Sequence, residues 1–224
     1  MKRIGITQRV VYEEKVNERR DVLDQSWYAF ASKIGIQLYP IPNAISSPID
    51  YTDHLQLDGV IFSGGNNVSE NKSDDLDLLM KEDVAIERDK TETELLQWAV
   101  TNQKPVIGIC RGMQLICTFF GGKLSDVEPG IHVAKEHEVS FLEQHFSNIF
   151  GDKRSCNSYH RKGILIDDLP EEIVVAGRYK DEAEAVRHNS HPIFGMMWHP
   201  ERYTSFREED IFLFSKIFNA SQKT

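Results

Sequence analysis

A cysteine between two glycines is the residue in this sequence best placed to do chemistry. Residues 108–114 read Gly-Ile-Cys-Arg-Gly-Met-Gln, with Cys110 as the possible nucleophile. An apolar run before Cys110 and apolar residues at helical spacing after it predict a sharp turn from a buried strand into a helix. This nucleophile-elbow pattern carries sulfur in place of oxygen, and the helix N-terminus favours the thiolate. We therefore interpret Cys110 as a nucleophile rather than an inert buried thiol.

An imidazole and a carboxylate occur together far downstream, where residues 198–201 read Trp-His-Pro-Glu. The apolar run at residues 192–198 predicts a strand whose end lies near the end of the Cys110 strand. His199 is then expected to accept the thiol proton and to return a proton to a leaving amine, while Glu201 orients the imidazole. A His-x-Glu pair alone indicates surface polarity, but together with the elbow it predicts acyl transfer from an amide.

Acyl transfer also needs hydrogen-bond donors for a developing oxyanion. The backbone N–H of Arg111, directly after the nucleophile, is one candidate. Residues 59–67 predict a strand that enters a diglycine turn, and such a turn allows the Gly65 N–H to face the site. Taken alone, this segment is more typical of an ordinary tight turn.

Residues 63–65, 108–114 and 198–201 together resemble the class I glutamine amidotransferase-like family, and they occur in that family's order. The resemblance implies a flavodoxin-like α/β fold, a Cys-His-Glu triad, and hydrolysis of a γ-glutamyl amide through a glutamyl thioester. It implies no metal or organic cofactor. Gln114 is implied to position the glutamyl group.

Two features resemble the γ-glutamyl hydrolase branch of the family. They are an arginine directly after the nucleophile, Arg111, and the stretch Asn157, Ser158, Tyr159 and His160. In that branch the segment that corresponds to residues 157–160 lies near the substrate pocket. The alternative interpretation of this stretch is a polar loop. Related hydrolases often carry Asp where this sequence has Asn67, and many carry a second His where it has Arg161. Both departures bear on the substrate rather than on the triad.

Residues 6–9, 18–27 and 184–188 are similar to a smaller subset linked to bacterial surface-polysaccharide synthesis. That resemblance implies γ-glutamyl-CDP-amidate as the favoured substrate, whose hydrolysis releases glutamate and cytidine diphosphoramidate, a precursor of capsule phosphoramidate groups. Arg9, Arg19 and Arg20 are the candidate contacts, since guanidinium groups bind phosphate in a bidentate manner. A solvated, salt-bridged helix start is the alternative for residues 18–21. A γ-glutamyl polyamine or γ-glutamyl aminobutyrate is the next candidate substrate.

Two other classes of function remain open. The first is a glutaminase subunit that supplies ammonia to a partner synthetase, because the chain has no room for a synthetase domain of its own. The second is a non-catalytic binding protein on the same fold, since fold alone does not establish function.

Composition restricts the possible partners. The 224 residues suit a single domain over residues 1–224, and the net charge of −9 argues against nucleic-acid binding. An anionic substrate therefore needs a local basic patch. The three cysteines, Cys110, Cys117 and Cys156, do not form a disulfide framework, which favours a cytoplasmic location. No segment is expected to act as a signal peptide or to span a membrane. The oligomeric state is left open.

Strands and helices alternate in the first half of the chain, which predicts a mostly parallel central sheet with helices on both faces. The second half is richer in strands. The predicted strands are residues 3–7, 37–39, 59–62, 106–109, 138–141, 173–179, 185–188 and 193–198, and the predicted helices are residues 24–34, 91–101 and 208–219. Ser63, Gly65 and Cys110 then lie at carboxyl ends of strands, where such folds place their sites.

Two polar stretches are open to interpretation. Residues 66–89 follow the diglycine turn and are consistent with a mobile rim of the site or with an ordinary solvated loop. Metal-ligand types also crowd into one short span, namely His132, Glu136, His137, Glu138 and His145. Their spacing lacks the His-Glu-x-x-His helical register, and a strand directs alternate side chains to opposite faces. We interpret them as scattered polar residues rather than as a metal site.

Overall fold

A computed structural model of the protein describes residues 1–69 and 83–219. Most of the polar stretch expected to form a rim or loop, residues 70–82, lies outside the described residues. Within the described part, no helix has both the length and the apolar character that crossing a bilayer requires.

The secondary structure follows the predicted alternation. The strands are β1 (Lys2–Thr7), β2 (Arg9–Glu13), β3 (Glu18–Val22), β4 (Ile36–Ile41), β5 (Gly59–Phe62), β6 (Val106–Ile109), β7 (Ser125–Asp126), β8 (Val133–Phe141), β9 (Lys153–Tyr159), β10 (Lys162–Gly163), β11 (Ile173–Tyr179), β12 (Glu182–His188) and β13 (Ile193–Met196). The helices are α1 (Ser26–Ile34), α2 (Pro48–Leu55), α3 (Ile86–Thr101), α4 (Arg111–Phe119), α5 (Pro129–His132), α6 (Gln144–Phe150) and α7 (Glu208–Asn219). Short 3₁₀ helices cover Ile166–Asp168 and Pro200–Arg202.

Nine of the described strands form one sheet in the order β4-β1-β5-β6-β13-β12-β11-β8-β9. The strands from β4 to β13 run parallel to one another, and the strands from β12 to β9 extend the sheet with antiparallel pairings. This arrangement confirms the predicted α/β sheet and its strand-rich second half. It also places the carboxyl ends of β5, β6 and β13 side by side, so the residues that follow these strands meet at one edge.

Apolar residues cover both faces of the sheet, as predicted. On one face Phe30 of α1 packs edge-on against Phe214 of α7, with ring centroids 5.1 Å apart. On the other face α2, α3 and α4 pack over a second cluster that includes Leu95 and Ile116. Burial of these two layers fixes the sheet from both sides, so the loops at its carboxyl edge rest on a rigid base.

The segment around Arg19 and Arg20 is a strand rather than the start of a helix, which is one of the two interpretations of residues 18–21. Residues 18–22 form β3, which pairs antiparallel with β2 in a hairpin outside the main sheet. The backbone of this segment is therefore satisfied by a neighbouring strand rather than by a helix. The hairpin begins two residues after β1 ends, which places Arg9 at the same edge as the predicted site.

Candidate active site

Cys110 lies on the turn between β6 and α4, as the sequence predicts. Its φ of 52° is in the left-handed region, where a residue with a side chain is strained. A Cβ atom on Gly108 would lie 2.5 Å from the backbone carbon of Gly112, and one on Gly112 would overlap the Phe62 carbonyl. Both glycines are therefore required for the close approach of strand, turn and helix that positions the thiol.

His199 reaches Cys110 because β13 runs parallel beside β6. The imidazole is hydrogen-bonded to the Cys110 side chain, and its Nδ1 lies 2.7 Å from Glu201 Oε1. All three side chains are buried. The structure thus aligns a thiol, an imidazole and a carboxylate in the order needed for proton transfer away from sulfur.

The charges in this group stabilise one another. Burial alone would lower the pKa of His199, but the charge of Glu201 and the hydrogen bonds of the ring with Cys110 and Glu201, which the protonated imidazole donates, raise it to about 9. Burial alone would raise the pKa of Cys110, but the hydrogen bond and positive charge of His199 lower it below its ordinary value. Both shifts act in favour of a thiolate beside an imidazolium.

Asn157 of β9, the edge strand of the sheet, holds the backbone of His199. Its Oδ1 accepts a 2.7 Å hydrogen bond from the His199 N–H, and its Nδ2 donates to the His199 carbonyl at 2.9 Å. The sequence predicts a substrate contact for Asn157, whereas the structure commits this carboxamide to His199. The next residue, Ser158, is also buried away from the cavity described below, and its hydroxyl donates to the His132 carbonyl at 2.8 Å.

The diglycine turn after β5 is held by Arg88 of α3, which sequence reasoning missed. Its guanidinium donates to the carbonyls of Ser63, Gly64 and Gly65 at 2.6, 3.2 and 2.5 Å. A trans peptide directs its C=O and the following N–H to opposite sides. Holding the Gly64 carbonyl toward Arg88 therefore turns the Gly65 N–H away from α3, which is the orientation an oxyanion donor needs.

Glycine is also required at this turn for reasons of space. A Cβ atom on Gly64 would lie 2.5 Å from His199 Cε1, and Gly65 has a φ of +84°. The turn consequently passes directly over the imidazole. This close passage brings the Gly65 N–H and the residue after Cys110 to the same small region.

The Arg111 side chain belongs to a buried ion network. Its guanidinium contacts Asp89 and Glu92, and Glu92 Oε1 also accepts from Arg88 Nε at 2.8 Å. Burial alone would raise the pKa of Glu92, but Arg111 and Arg88 lower it. The signal that sequence reasoning overlooked is the spacing of Arg88, Glu92, Leu95 and Ala99, which puts two charged residues on the buried face of one helix.

Because the Arg111 side chain is part of this ion network, the backbone N–H of Arg111 is the group of this residue that can act at the elbow. The first backbone hydrogen bond of α4 at the elbow runs from Gln114 N to Cys110 O at 3.1 Å. The N–H of Arg111 belongs to the first turn of the helix, whose donors have no intrahelical acceptor. This is consistent with the predicted pair of oxyanion donors, Gly65 and Arg111.

A cavity of about 750 Å³ opens above these groups. Cys110 and His199 line it together with Gly65, Gln114, Tyr159 and His160, so the structure brings most of the predicted site residues together. Among the described residues, the basic side chains that line it are Arg9, Arg161, Lys162 and Arg202, and the acidic one is Asp83. A local basic patch on a chain of net charge −9 is the condition that the sequence sets for an anionic substrate.

Two of the lining residues are held by the backbone of the β9–β10 connection. Gln114 Nε2 donates to the Lys162 carbonyl at 2.7 Å, and His160 Nδ1 lies 3.0 Å from the same oxygen. Tyr159 packs edge-on to the His199 ring and carries the Arg202 guanidinium on its face. These contacts form the wall of the cavity opposite the diglycine turn.

Comparison with known proteins identifies the family. The Peptidase C26 family model matches residues 3–201. The chain belongs to the Peptidase C26 family. A γ-glutamyl-CDP-amidate hydrolase from Campylobacter jejuni is 32% identical over 89% of this chain and 90% of that protein. Together, the family and this relative support a hydrolase.

Two further proteins similar to this Peptidase C26 chain are named for glutamine chemistry. A glutamine-hydrolysing GMP synthase component from Methanopyrus kandleri is 29% identical over 82% of this chain and 87% of its own length. A glutamine amidotransferase from Thermotoga maritima, of known crystal structure, superposes with a TM-score of 0.65, at 15% identity and covering 97% of this chain and 84% of that one. The latter likeness confirms the fold that the sequence predicts.

The three arginines predicted to contact phosphate are separated in this Peptidase C26 structure. Arg9 lines the cavity, with its Nη2 3.8 Å from Asp83 Oδ2. Arg19 lies in an adjoining cavity, where it is paired with Glu87, and Arg20 pairs with Glu18 of the same strand at 2.7 Å. Neither Arg19 nor Arg20 lines the cavity that contains Cys110, whereas Arg9, Arg161 and Arg202 do.

The interpretation of the histidine-rich span as scattered residues is wrong for His132 and His137. Both are buried in this Peptidase C26 chain and lie beside Glu184 together with His160. The outward-facing Glu136 and Glu138 and the half-buried His145 remain apart, as predicted. The convergence depends on β12, α5 and the end of β9 meeting in space, which no local spacing reveals.

Proposed function

We propose that this chain is a cysteine-dependent hydrolase of γ-glutamyl amides, with γ-glutamyl-CDP-amidate as the favoured substrate. The observation that carries the proposal is the hydrogen-bonded series Cys110, His199 and Glu201 at the base of a cavity lined by basic residues. The Campylobacter jejuni relative supports the choice of substrate. A place in surface-polysaccharide assembly would follow from that substrate.

The reaction begins with the Cys110 thiolate beside protonated His199. Sulfur attacks the γ-carbonyl carbon, and the N–H groups of Gly65 and Arg111 stabilise the oxyanion. Collapse of the tetrahedral intermediate breaks the C–N bond, and His199 gives its proton to the departing nitrogen. The product of this half-reaction is a glutamyl thioester on Cys110 and the free amidate.

Water completes the cycle. His199, now neutral and oriented by Glu201, removes a proton from water as it attacks the thioester carbonyl. The C–S bond then breaks, glutamate leaves, and the thiolate–imidazolium pair is restored. Gln114 and Tyr159, on the cavity wall, are the proposed contacts of the glutamyl group.

Charge favours an anionic leaving group over a cationic one. A polyamine would approach Arg9, Arg161 and Arg202 with like charge, whereas a nucleoside diphosphate would approach them with opposite charge. The deciding experiment follows glutamate release from γ-glutamyl-CDP-amidate, a γ-glutamyl polyamine, γ-glutamyl aminobutyrate and a neutral γ-glutamyl anilide. We expect the highest kcat/KM for the cytidine-linked amidate, and faster cleavage of the polyamine conjugate would overturn this preference.

Arg161 provides a direct test of the phosphate contact. Arg161 is exposed at the rim of the cavity, so its replacement leaves the folded core intact. We expect Arg161→Ala to raise KM for γ-glutamyl-CDP-amidate by about 10-fold or more, since a hydrogen bond to a charged group contributes about 1.5–3 kcal/mol. Steady-state kinetics supply two controls. Arg161→Ala should leave KM for the neutral anilide unchanged, and Arg20→Ala should leave KM for γ-glutamyl-CDP-amidate unchanged. Equal losses on both substrates would contradict a phosphate contact.

The pH profile tests the ion pair. With the His199 pKa at about 9, we expect kcat/KM to fall as pH rises through about 9, because the imidazole then loses the proton that the leaving nitrogen requires. Glu201→Gln removes the charge that raises this pKa, so the alkaline fall should move to lower pH. Glu209→Gln, on the exposed side of α7, should leave the profile unchanged. If Glu201→Gln does not move the alkaline fall in kcat/KM, that fall does not report the ionisation of His199.

A glutaminase that feeds a synthetase is the second candidate, favoured by the similarity to the GMP synthase component of Methanopyrus kandleri. It predicts low turnover of free glutamine by the isolated chain and a sharp rise when a partner synthetase is added. Cleavage of a γ-glutamyl conjugate at full rate by the isolated chain would decide for the hydrolase.

A further inference from the structure

Three side chains of metal-ligand type converge behind the cavity wall. His132 ends α5, His160 follows β9, and Glu184 lies in the middle of β12. Their exposed fractions are 0, 4 and 1%, and one ligand atom from each lies within 4.8 Å of the other two. Three elements distant in sequence thus bring two imidazoles and a carboxylate to one buried point.

The distances suit a shared cation. Glu184 Oε1 lies 3.6 Å from His160 Nε2 and 4.0 Å from His132 Nδ1. Ligand atoms about 2.0–2.1 Å from a tetrahedral ion lie roughly 3.3 Å from each other. Small rotations of the side chains would therefore complete the geometry. His137, with its Nε2 3.3 Å from the same oxygen, orients the carboxylate from a further side.

The tautomer of His160 leaves a lone pair pointing at the carboxylate. A carbonyl only accepts, so His160 Nδ1, 3.0 Å from the Lys162 oxygen, carries the ring proton and Nε2 is bare in the neutral imidazole. His132 Nε2 lies 3.0 Å from Glu182 Oε2 without good hydrogen-bond geometry, and His132 Nδ1 lies 3.4 Å from the Ser158 hydroxyl oxygen. The nearby Ser158 hydroxyl donates to the His132 carbonyl instead.

Neither His160 Nε2 nor Glu184 Oε1 makes a hydrogen bond of good geometry within the described part of the chain. These two atoms are buried side by side, 3.6 Å apart. A bare ring nitrogen beside a buried carboxylate requires a cation between them, either a metal ion or a proton on a ring.

We propose that His132, His160 and Glu184 bind a divalent transition-metal ion of the zinc class. Imidazole with one carboxylate is a donor set typical of zinc, whereas Mg²⁺ and Ca²⁺ prefer all-oxygen ligands. His160 Nδ1 beside the Lys162 carbonyl provides the kind of orienting contact that metal-bound histidines make, and His132 Nε2 lies 3.0 Å from Glu182 Oε2 on the side of the ring away from Glu184. The site is independent of the proposed hydrolysis, and no step of that reaction passes through it.

The ion would join α5, the β9–β10 connection and β12. His160 also lines the cavity beside Cys110, so the ion would fix the wall of the site from behind. Its expected effect is on stability, since an ion that binds only the folded state raises the midpoint of thermal unfolding.

The test uses the full chain carrying Cys110→Ala, which removes the thiolate of the other site that attracts zinc. After treatment with a chelator, Co²⁺ is added and its visible d–d absorption recorded, and Zn²⁺ is titrated by calorimetry. We expect one equivalent of either metal, intense bands of a low-coordinate Co²⁺ site, and a higher unfolding midpoint with Zn²⁺. Glu184→Gln and His132→Gln, each added to the Cys110→Ala chain, should lose all three responses.

His145→Asn in the same chain is the matched control, because His145 comes from the same histidine-rich span but lies half-buried on α6. It should bind metal as its parent does. Circular dichroism confirms that each variant is folded, and either of the two ligand variants suffices for the comparison. Substoichiometric binding, equal binding by the ligand variants, or a protonated His160 ring in NMR spectra that excess Zn²⁺ leaves unchanged would overturn the proposal.

Discussion

Cys110→Ala is expected to lower kcat for every γ-glutamyl substrate by on the order of 10⁶-fold, the loss seen when a nucleophile is removed from a triad that acts as a unit. The thiol is the group that forms the bond to substrate, and the structure offers no second nucleophile within its hydrogen-bonded series. Measurement is by single-turnover glutamate release, which detects slow residual cleavage. Retention of more than a small fraction of activity would contradict the thioester mechanism.

Cys117→Ala is the matched control for this variant. Cys117 lies on α4, two turns beyond the elbow, and burial alone raises its pKa well above the ordinary value. It therefore stays a thiol and should be dispensable for hydrolysis. We also expect iodoacetamide to modify Cys110 first at neutral pH, because Cys110 lines the cavity, whereas Cys117 and Cys156 are fully buried and burial raises their pKa values. Mass spectrometry of the alkylated chain checks this order, and faster labelling of Cys117 would argue against an activated Cys110.

The sequence predicts the elements whose determinants are local. The elbow follows from glycines two positions on either side of Cys110, which only close backbone approach explains. The position of His199 follows from the rule that parallel strands present their carboxyl ends at one edge, and the pairing of β13 with β6 confirms it. Both inferences need only the residue types within a few positions of the motif.

What the sequence leaves out depends on pairings between distant segments. In the sequence, Asn157 is one polar residue in a polar stretch. In the structure, β9 places its carboxamide against the His199 backbone. Arg19 and Arg202 are equally basic in sequence, yet a hairpin directs the first to an adjoining cavity and a 3₁₀ helix brings the second to the rim. The local structure around each arginine, not the composition of the chain, therefore decides which of them lies near the nucleophile.

Arg88 is the clearest case, because nothing near the motifs points to it. It lies in α3, more than twenty positions after the turn that it holds, and its three backbone contacts orient the Gly64–Gly65 peptide. A flexible diglycine turn has several accessible orientations, and only a fixed external donor selects one of them. We infer that Arg88 is a positioning residue that acts through the Gly65 N–H.

Arg88→Lys is therefore expected to lower kcat by about 10²–10³-fold, the range for loss of one oxyanion-hole donor. Lysine keeps the positive charge beside Glu92, but its single ammonium group cannot reproduce the fork that contacts three carbonyls. KM should change much less than kcat, because the lost interaction forms only as the oxyanion develops. Steady-state kinetics on a γ-glutamyl anilide measure both constants.

The aldehyde analogue of the glutamyl group separates a positioning role from a structural one. Glutamate γ-semialdehyde forms a hemithioacetal with Cys110 whose oxygen occupies the oxyanion position, so its affinity should fall in parallel with kcat. Arg154→Lys is the matched control, since Arg154 makes a largely buried ion pair with Asp210 at 3.0 Å and has no contact with residues 63–65. That variant should lower the unfolding midpoint and leave aldehyde affinity unchanged. If Arg88→Lys likewise loses only stability, the Gly65 N–H does not depend on Arg88 for its orientation.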